Sequence, residues 1–137
     1  MYHANTTEFK RNTILFLISS NDLNGLLSEL TAFGLHCFRC NGAWRGQAEP
    51  AICVVDTGRD TAGKARDSVI IEKYVRFLGQ THGQDAVLKV NLKNQASLLI
   101  GADSEQSIGY WNNVPKNEAL QAEAYTEHNG QYYLAKW

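Results

Sequence analysis

The N-terminal part of the chain passes from an unbroken apolar run to apolar positions at helical spacing. The run from Thr13 to Ile18 is β-branched and aromatic, which is typical of a central strand buried on both faces. Several N-cap candidates follow it, and Gly34 is placed to end the helix that they begin. The apolar positions of this predicted helix are Leu23, Leu26, Leu27, Leu30 and Phe33.

A hairpin and a second helix are predicted next. The segments 35–44 and 51–55 have strand-like patterns and are joined by a predicted turn near Arg45-Gly46-Gln47. Asp60 or Thr61 is then expected to cap a second helix, which Gly79 and Gly83 would end. The apolar positions assigned to that helix are Ala62, Ala65, Val69, Ile70, Tyr74, Phe77 and Leu78.

The rest of the chain contains further strand signals. Residues 85–90 and 96–100 are apolar segments separated by an asparagine-rich turn, and two more strands are expected at 124–127 and 132–136. His128-Asn129-Gly130 lies between the last two and is a strong signal for a short turn. The first six elements therefore follow the order β-α-β-β-α-β, and the later strands extend that unit.

This order predicts a ferredoxin-like fold of the α+β class, in which an antiparallel sheet carries two helices on one face and a β extension at its C-terminal end. We expect a single domain over residues 11–137, preceded by a dispensable arm at residues 1–10. The open face of such a sheet needs a cover. The cover is either a second copy of the chain or the C-terminal extension. Both alternatives would use the aromatic residues Trp44, Tyr110, Trp111, Tyr132, Tyr133 and Trp137.

Composition limits the possible classes of function. A net charge of −1 without a basic stripe argues against nucleic acid as a partner. No apolar run approaches the roughly 20 residues needed to span a bilayer, and the first ten residues lack the plan of a signal peptide. We therefore expect no membrane association and a cytoplasmic location.

Metal and triad chemistry are not expected either. Cys37 and Cys40 lie three apart on a predicted strand, so their side chains should point to opposite faces and are poorly placed as a metal pair. The four histidines are scattered and form neither a His-x-x-x-His nor a Ser/His/Asp pattern. The sequence predicts no metal site, and all three cysteines are expected to be reduced.

Polar residues at strand ends provide the candidate site. Glu49 follows a glycine-punctuated hairpin in which Gly42 would let the backbone approach a ligand and Trp44 offers an aromatic face. Gln84 and Asp85 stand at the head of another strand. Each feature also has a simpler interpretation, since a solvated glutamate on a surface hairpin and an acidic residue in a turn are both common.

The chain resembles the phage-encoded S-adenosyl-L-methionine (SAM) lyases, formerly called SAM hydrolases. The resemblance covers mainly the C-terminal half, and the segment between Val55 and Gln84 is longer than in related proteins. The matching segments are Gln84-Asp85-Ala86-Val87-Leu88, Gly109, Val114-Pro115-Lys116, Ala119-Leu120-Gln121, Tyr125-Thr126 and Gly130-Gln131-Tyr132-Tyr133.

The resemblance implies a homotrimer of ferredoxin-like subunits, similar to PII signalling proteins, that binds SAM between neighbouring subunits in the host bacterial cytoplasm. Glu49 and Asp85 match the two acidic active-site positions, and Gln84 matches the polar position beside them. Asp85 stands where some relatives have glutamate, which shortens its reach by one methylene. Phe38 matches an aromatic residue that lines the pocket.

The chemistry that the resemblance implies needs neither a metal nor a cofactor. The carboxylate of SAM attacks its own γ-carbon, which gives 5′-methylthioadenosine and L-homoserine lactone, and the loss of SAM would counter host restriction. One alternative is a PII-like trimer that binds a nucleotide or metabolite without catalysis. The short connection from Arg45 to Ala48 favours the enzyme, because PII signalling uses a long loop there. A third possibility, a contact inhibitor of a host enzyme, gains little support from a net charge of −1.

Overall fold

A computed structural model describes residues 13–137, so the predicted arm at residues 1–10 lies outside the described part. Within this range the chain forms nine strands and three helices. The strands are β1 (Ile14–Ser19), β2 (His36–Trp44), β3 (Gln47–Ala48), β4 (Ala51–Asp56), β5 (Val87–Val90), β6 (Gln95–Ile100), β7 (Ser104–Val114), β8 (Tyr125–His128) and β9 (Gln131–Lys136). The helices are α1 (Leu23–Ala32), α2 (Ser68–Thr81) and α3 (Lys116–Gln121).

The strands form one antiparallel sheet that closes on itself. Its neighbours run in the order β2-β4-β1-β5-β6-β7-β9-β8, and β8 pairs back onto β2. The closing pairs join Asn41 to Glu127, Gly42 to Thr126 and Ala43 to Tyr125. The two-residue strand β3 lies outside this ring and pairs with the end of β2. The described part of the chain is therefore a closed eight-stranded β-barrel with a few helices packed around it.

The prediction of a ferredoxin-like α+β fold is wrong. It treated the C-terminal strands as an extension beside an open sheet, whereas β6 to β9 complete the ring and leave no open face to cover. The prediction also lacked β7, an eleven-residue strand whose first four residues are exposed and polar. Without β7, β9 has no partner that links it to β6, so closure could not be inferred.

The barrel interior and the outer face under the helices form two separate cores. Alternate residues of β1 serve both: Leu15 and Leu17 point into the barrel, while Phe16 and Ile18 pack under α1 and α2. An eight-stranded barrel has an interior that side chains can just fill. The buried interior residues are Leu15, Leu17, Cys40, Cys53, Val55, Val90, Trp111 and Tyr133. The prediction that β1 is buried on both faces is confirmed.

Helix α1 begins and ends as its sequence indicates. The Asp22 side chain accepts a hydrogen bond from the Gly25 amide at 3.0 Å, which satisfies one of the unpaired donors of the first turn. Gly34 follows the helix with a φ of +86°, a conformation that glycine adopts without strain. Leu26 and Leu30 are fully buried against the sheet.

Helix α2 starts later than predicted, and a different face of it is buried. Asp67 is the N-cap and accepts from the Val69 amide at 2.8 Å. Asp60 instead organises the preceding loop, because its Oδ1 accepts the amides of Ala62 and Lys64, each at 2.9 Å. Three apolar residues assigned to the buried face are more than half exposed, namely Val69, Ile70 and Phe77. No helix described between residues 13 and 137 is long and apolar enough to span a membrane.

Candidate active site

One end of the barrel opens into a cavity of about 170 Å³. The ends of β1 and β2 and the beginnings of β4, β5 and β8 surround it, because antiparallel neighbours alternate in direction around the ring. Its apolar wall includes Leu17, Leu88 and Trp111. Its polar lining includes Asn41, Glu49, Gln84, Asp85 and Thr126. An apolar wall with a few converging polar groups is the usual composition of a small-molecule site.

The β2–β3 hairpin positions Glu49. Arg45 and Gly46 form its turn with φ values of 52° and 79°, the left-handed pair that suits a two-residue hairpin. The Gly46 amide donates to the Glu123 carbonyl at 2.8 Å, which ties the turn to the segment before β8. The Glu49 amide donates to the Gly42 carbonyl at 2.9 Å, so the residue is anchored where the chain leaves β3. The Glu49 side chain is half-buried at the cavity.

Gln84 and Asp85 reach the cavity from the turn between α2 and β5. Gly83 has a φ of 71°, and the Gln84 amide donates back to the Gly79 carbonyl at 2.9 Å. The Gln84 Nε2 donates to the His82 carbonyl at 3.3 Å, which fixes the side-chain amide beside the opening. The turn therefore delivers an amide and a carboxylate to the opening side by side.

Arg45 contacts Asp85 across the opening. Its Nη1 lies 3.3 Å from Asp85 Oδ2, and its guanidinium carbon lies 5.6 Å from the centre of the Trp44 ring. Both partners of the ion pair are mostly exposed, at 72% for Arg45 and 60% for Asp85. Because exposed pairs of this kind contribute roughly 0–1 kcal/mol, a ligand cation can replace Arg45 at little cost. Arg45 was not among the predicted site residues, although its place at the turn beside Trp44 is visible in the sequence.

Gly42 has a structural role that the sequence did not indicate. It lines the cavity, but a Cβ at this position would lie 2.3 Å from the Tyr125 carbonyl oxygen. The absence of a side chain therefore allows β2 and β8 to approach and close the barrel. Close approach of backbone was predicted here, but the group that approaches is a neighbouring strand.

Phe38 is not brought to the cavity. Its ring lies 4.3 Å from the His128 ring, centre to centre, and packs against the barrel interior. The structure thus gathers Gly42, Trp44, Glu49, Gln84 and Asp85 around one cavity and leaves Phe38 outside that group.

A groove of about 470 Å³ continues from the cavity over the hairpin. Trp44, Glu49 and Gln84 line both, so the two spaces share one polar wall. Ser20 and Arg45 line the groove but not the cavity. A ligand with an apolar part and several polar groups can use the cavity and the groove together.

A family model for the S-adenosylmethionine lyase family matches residues 21–136. The chain belongs to this family. The matched range includes the hairpin, the Gln84-Asp85 turn and every strand except β1. The chain is therefore a SAM lyase, and its substrate at the family level is SAM. A search of curated proteins found none that matches the chain.

Two cysteines of this lyase, Cys40 and Cys53, are buried, and Cys37 is partly buried. Cys37 packs in the core under the helices and Cys40 in the barrel interior, which confirms the prediction of opposite faces. All three cysteines are free. Burial, with a smaller effect from the Glu127 charge, raises the pKa of Cys40 to about 12, and burial raises the pKa of Cys53 well above its usual value. Such thiols are poor nucleophiles and poor metal ligands.

The described part of the lyase was searched for histidine, cysteine and carboxylate side chains that could hold a metal ion together. Among residues 13–137 no group of three or more of them is arranged to hold a metal ion. The charged and polar groups at the cavity and the groove include the carboxylates Glu49 and Asp85, the Gln84 amide and the Arg45 guanidinium. These groups can bind and orient a charged ligand.

Proposed function

We propose that this lyase degrades SAM by an intramolecular displacement, in which the substrate carboxylate attacks the γ-carbon. A C–O bond forms as the C–S bond breaks, the sulfur keeps the electron pair, and the products are 5′-methylthioadenosine and L-homoserine lactone. The observation that carries the proposal is the convergence of Glu49, Gln84 and Asp85 on one partly apolar cavity in a chain of this family.

Positioning is the main contribution that this site offers to the reaction. The nucleophile and the leaving group belong to the same molecule, so the protein supplies neither. Ordering reactants for an attack of this kind is worth about 7–11 kcal/mol in favourable systems. Anchored groups such as Glu49 and Gln84 can supply that order, because backbone hydrogen bonds of 2.9 Å hold both residues in place.

The charge change during the reaction determines where the carboxylates should act. The sulfonium loses its positive charge as the C–S bond breaks, so a carboxylate directly against sulfur would stabilise the ground state more than the transition state. We infer that Glu49 and Asp85 contact the substrate amino group or the ribose hydroxyls. The sulfur would then lie against the apolar wall, which includes Leu17, Leu88 and Trp111.

The test is to incubate the purified protein with SAM and to identify the products by mass spectrometry. Glu49→Gln and Asp85→Asn should each lower kcat/KM at least tenfold, because each removes a charge that holds the substrate. Asp103→Asn is the matched control: this carboxylate lies in the exposed turn before β7 and lines neither the cavity nor the groove. Wild-type rates in both site variants would contradict the assignment.

Isotopic oxygen separates this mechanism from direct hydrolysis. In water labelled with ¹⁸O, attack of water on the γ-carbon would place the label in the hydroxyl group of homoserine. Lactone formation followed by ring opening at the carbonyl would place the label in the carboxyl group. Label in the hydroxyl group would overturn the intramolecular route while leaving SAM as the substrate.

The family resemblance also implies an oligomeric state and a biological role, and both are proposed for this protein. The protein is proposed to be a homotrimer with its active sites between subunits, which is supported by the high exposure of Arg45 and Asp85 at the opening. A molecular mass of one chain in solution would contradict this.

A role in phage counter-restriction is proposed because SAM is the cofactor of host DNA methylation. Production of the protein in a host should then reduce restriction by SAM-dependent enzymes.

A further inference from the structure

Three side chains form a hydrogen-bonded chain from the groove to the surface between α1 and α2. Ser20 Oγ lies 2.5 Å from His82 Nδ1, and His82 Nε2 lies 2.8 Å from Glu29 Oε1. Ser20 lines the groove beside Glu49 and Gln84. His82 is mostly buried, with 12% of its side chain exposed. The reaction proposed above assigns no role to these three groups.

The hydrogen bonds determine which atom carries each proton while His82 is neutral. An ionised carboxylate only accepts, so Nε2 must donate to Glu29 and Nδ1 must accept from the Ser20 hydroxyl. Ser20 Oγ also accepts the Asp22 amide at 2.8 Å. Its hydrogen and one lone pair are thus occupied, and the second lone pair is left for a ligand in the groove.

We propose that Ser20 is a further substrate-contacting residue, which accepts a hydrogen bond from the amino group or a ribose hydroxyl of SAM, and that His82 and Glu29 hold it as an acceptor. This inference rests on the proposed function, because the ligand is taken to be SAM. An acceptor suits this position, since the groups of SAM that the carboxylates are proposed to bind are donors. Glu49 lines the same groove and favours the same cationic group.

Protonation of His82 would reverse the polarity of Ser20. Nδ1 would then donate to Ser20 Oγ, both lone pairs of the hydroxyl would be occupied, and its hydrogen would turn to the groove as a donor. A positive charge would also lie one hydrogen bond from the ligand. Both changes disfavour a cationic substrate, so binding should be weaker when the imidazole is protonated.

The charged and polar groups around the imidazole come from several elements. Glu29 of α1 is in direct contact, and the Tyr74 hydroxyl of α2 donates to the Glu29 backbone carbonyl at 3.3 Å. The Gln84 side chain donates to the His82 carbonyl from the turn before β5. The carboxylate of Glu29 is the charged group in contact with the ring, whereas Gln84 and Tyr74 carry no charge at neutral pH.

The orientation of the ring favours a binding role over a nucleophilic one. In hydrolase triads the serine contacts Nε2 and the acid contacts Nδ1, whereas these contacts are exchanged here. The Asp22 amide also occupies a lone pair of Ser20 Oγ, which lowers its nucleophilicity. The chain therefore holds the hydroxyl in place as a ligand contact.

The experiment is a steady-state analysis of SAM turnover between pH 5.5 and 8.5. Because protonation of the imidazole disfavours a cationic substrate, the wild-type KM should rise towards the acidic end of this range. Ser20→Ala should raise KM at pH 8 by about tenfold with little change in kcat, because one hydrogen bond to a charged group is lost. Its KM should also depend less on pH. Ser20→Thr keeps the hydroxyl and should restore both properties.

Two further variants separate this role from a purely structural one. Glu29→Gln replaces a partner that only accepts with one that can also donate to Nε2, so the pH dependence of KM should change, which loss of a structural contact would not produce. Ser28→Ala is the matched control, since Ser28 is an exposed serine of α1 outside the groove. A Ser20→Ala variant with wild-type KM and pH profile would overturn the inference. Absence of SAM turnover by the wild type would overturn the proposed function, and the inference with it.

Discussion

Arg45 shows how a single residue at the opening can influence the proposed site. It lies beside Trp44 at a two-residue turn and pairs with Asp85, one of the two carboxylates assigned to the substrate. If Asp85 binds the substrate amino group, the guanidinium of Arg45 competes with the substrate for the same oxygen atoms. The free enzyme would then hold Asp85 in place until the substrate displaces Arg45.

Arg45→Gln should therefore lower the KM for SAM by up to about fivefold, since exposed ion pairs contribute roughly 1 kcal/mol or less. The value of kcat should stay within twofold. Arg59→Gln is the matched control, because Arg59 is an exposed arginine in the loop before α2. Steady-state kinetics at fixed ionic strength measures both values. A higher KM for Arg45→Gln would show that Arg45 itself binds the substrate.

At the residue scale, sequence predicted best the groups that lie next to strand ends. Glu49, Gln84 and Asp85 reach one cavity because each lies within three residues of a strand that ends or begins at the opening. Ser20 and His82 were missed as a pair because 62 residues separate them, and no local pattern relates positions so far apart. The substrate-binding and catalytic roles assigned to Glu49, Gln84 and Asp85 stay predictions.

Helix α2 is attached to the barrel by a charged cluster as well as by its apolar face. Glu72 Oε1 lies 2.6 Å from Lys89 Nζ of β5, and Glu72 Oε2 lies 3.3 Å from Arg76 Nε. Arg76, which is buried, donates from Nη1 to the carbonyls of Ser104 at 2.8 Å and Gly101 at 3.3 Å. The cluster thus connects α2 to β5 and to the turn before β7.

Acid should weaken this cluster. Burial raises the pKa of Glu72, but the hydrogen bond and charge of Lys89, followed by those of Arg76, outweigh burial and hold the pKa below its usual value. A lowered pKa in the folded state means that the stabilisation is present above the unfolded pKa, near 4.3, and is lost as the pH falls through the folded value.

Glu72→Gln should lower the free energy of unfolding at pH 7 by about 1–2 kcal/mol, because Arg76 and Lys89 lose a charged acceptor. The variant should also lose less stability than the wild type between pH 5 and pH 3. Urea denaturation at several pH values measures both effects. Glu105→Gln, at an exposed position of β7, is the control. An equal loss on acidification in Glu72→Gln and the wild type would contradict this account.

Periodicity located most elements but not all of their boundaries. An apolar run located β1, and helical spacing located α1. The turn signal at Arg45-Gly46, which lies between β2 and β3, located the hairpin that ends in β4. The start of α2 was placed too early because an aspartate can cap a loop as well as a helix, and Asp60 does the former. Strand β7 was missed because its exposed polar first half has no apolar alternation.

The closure of the barrel depends on the β2–β8 seam, defined by the three pairs from Asn41–Glu127 to Ala43–Tyr125. Closure was the property least accessible to sequence, because a strand edge gives no local signal of its partner. Gly42 lies in this seam, and a Cβ added to it would lie 2.3 Å from the Tyr125 carbonyl oxygen.

Gly42→Ala should therefore lower the free energy of unfolding by about 1–3 kcal/mol, as for other overpacked sites, and should speed amide exchange in β8. Gly46→Ala isolates backbone strain from collision, because Gly46 has a φ of 79° and nothing lies within 4 Å of an added Cβ. That variant should leave exchange in β8 unchanged. Wild-type stability and exchange in Gly42→Ala would show that the seam relaxes without cost.

The seam also has a consequence for the time course of folding. Asn41 and Glu127 are 86 residues apart, so the contact that completes the ring joins distant parts of the chain. Such contacts form slowly, because the entropy of closing the intervening loop is lost before the contact stabilises anything. The cavity, whose wall includes Tyr125 and Thr126 of β8, is therefore complete only after this slow contact has formed.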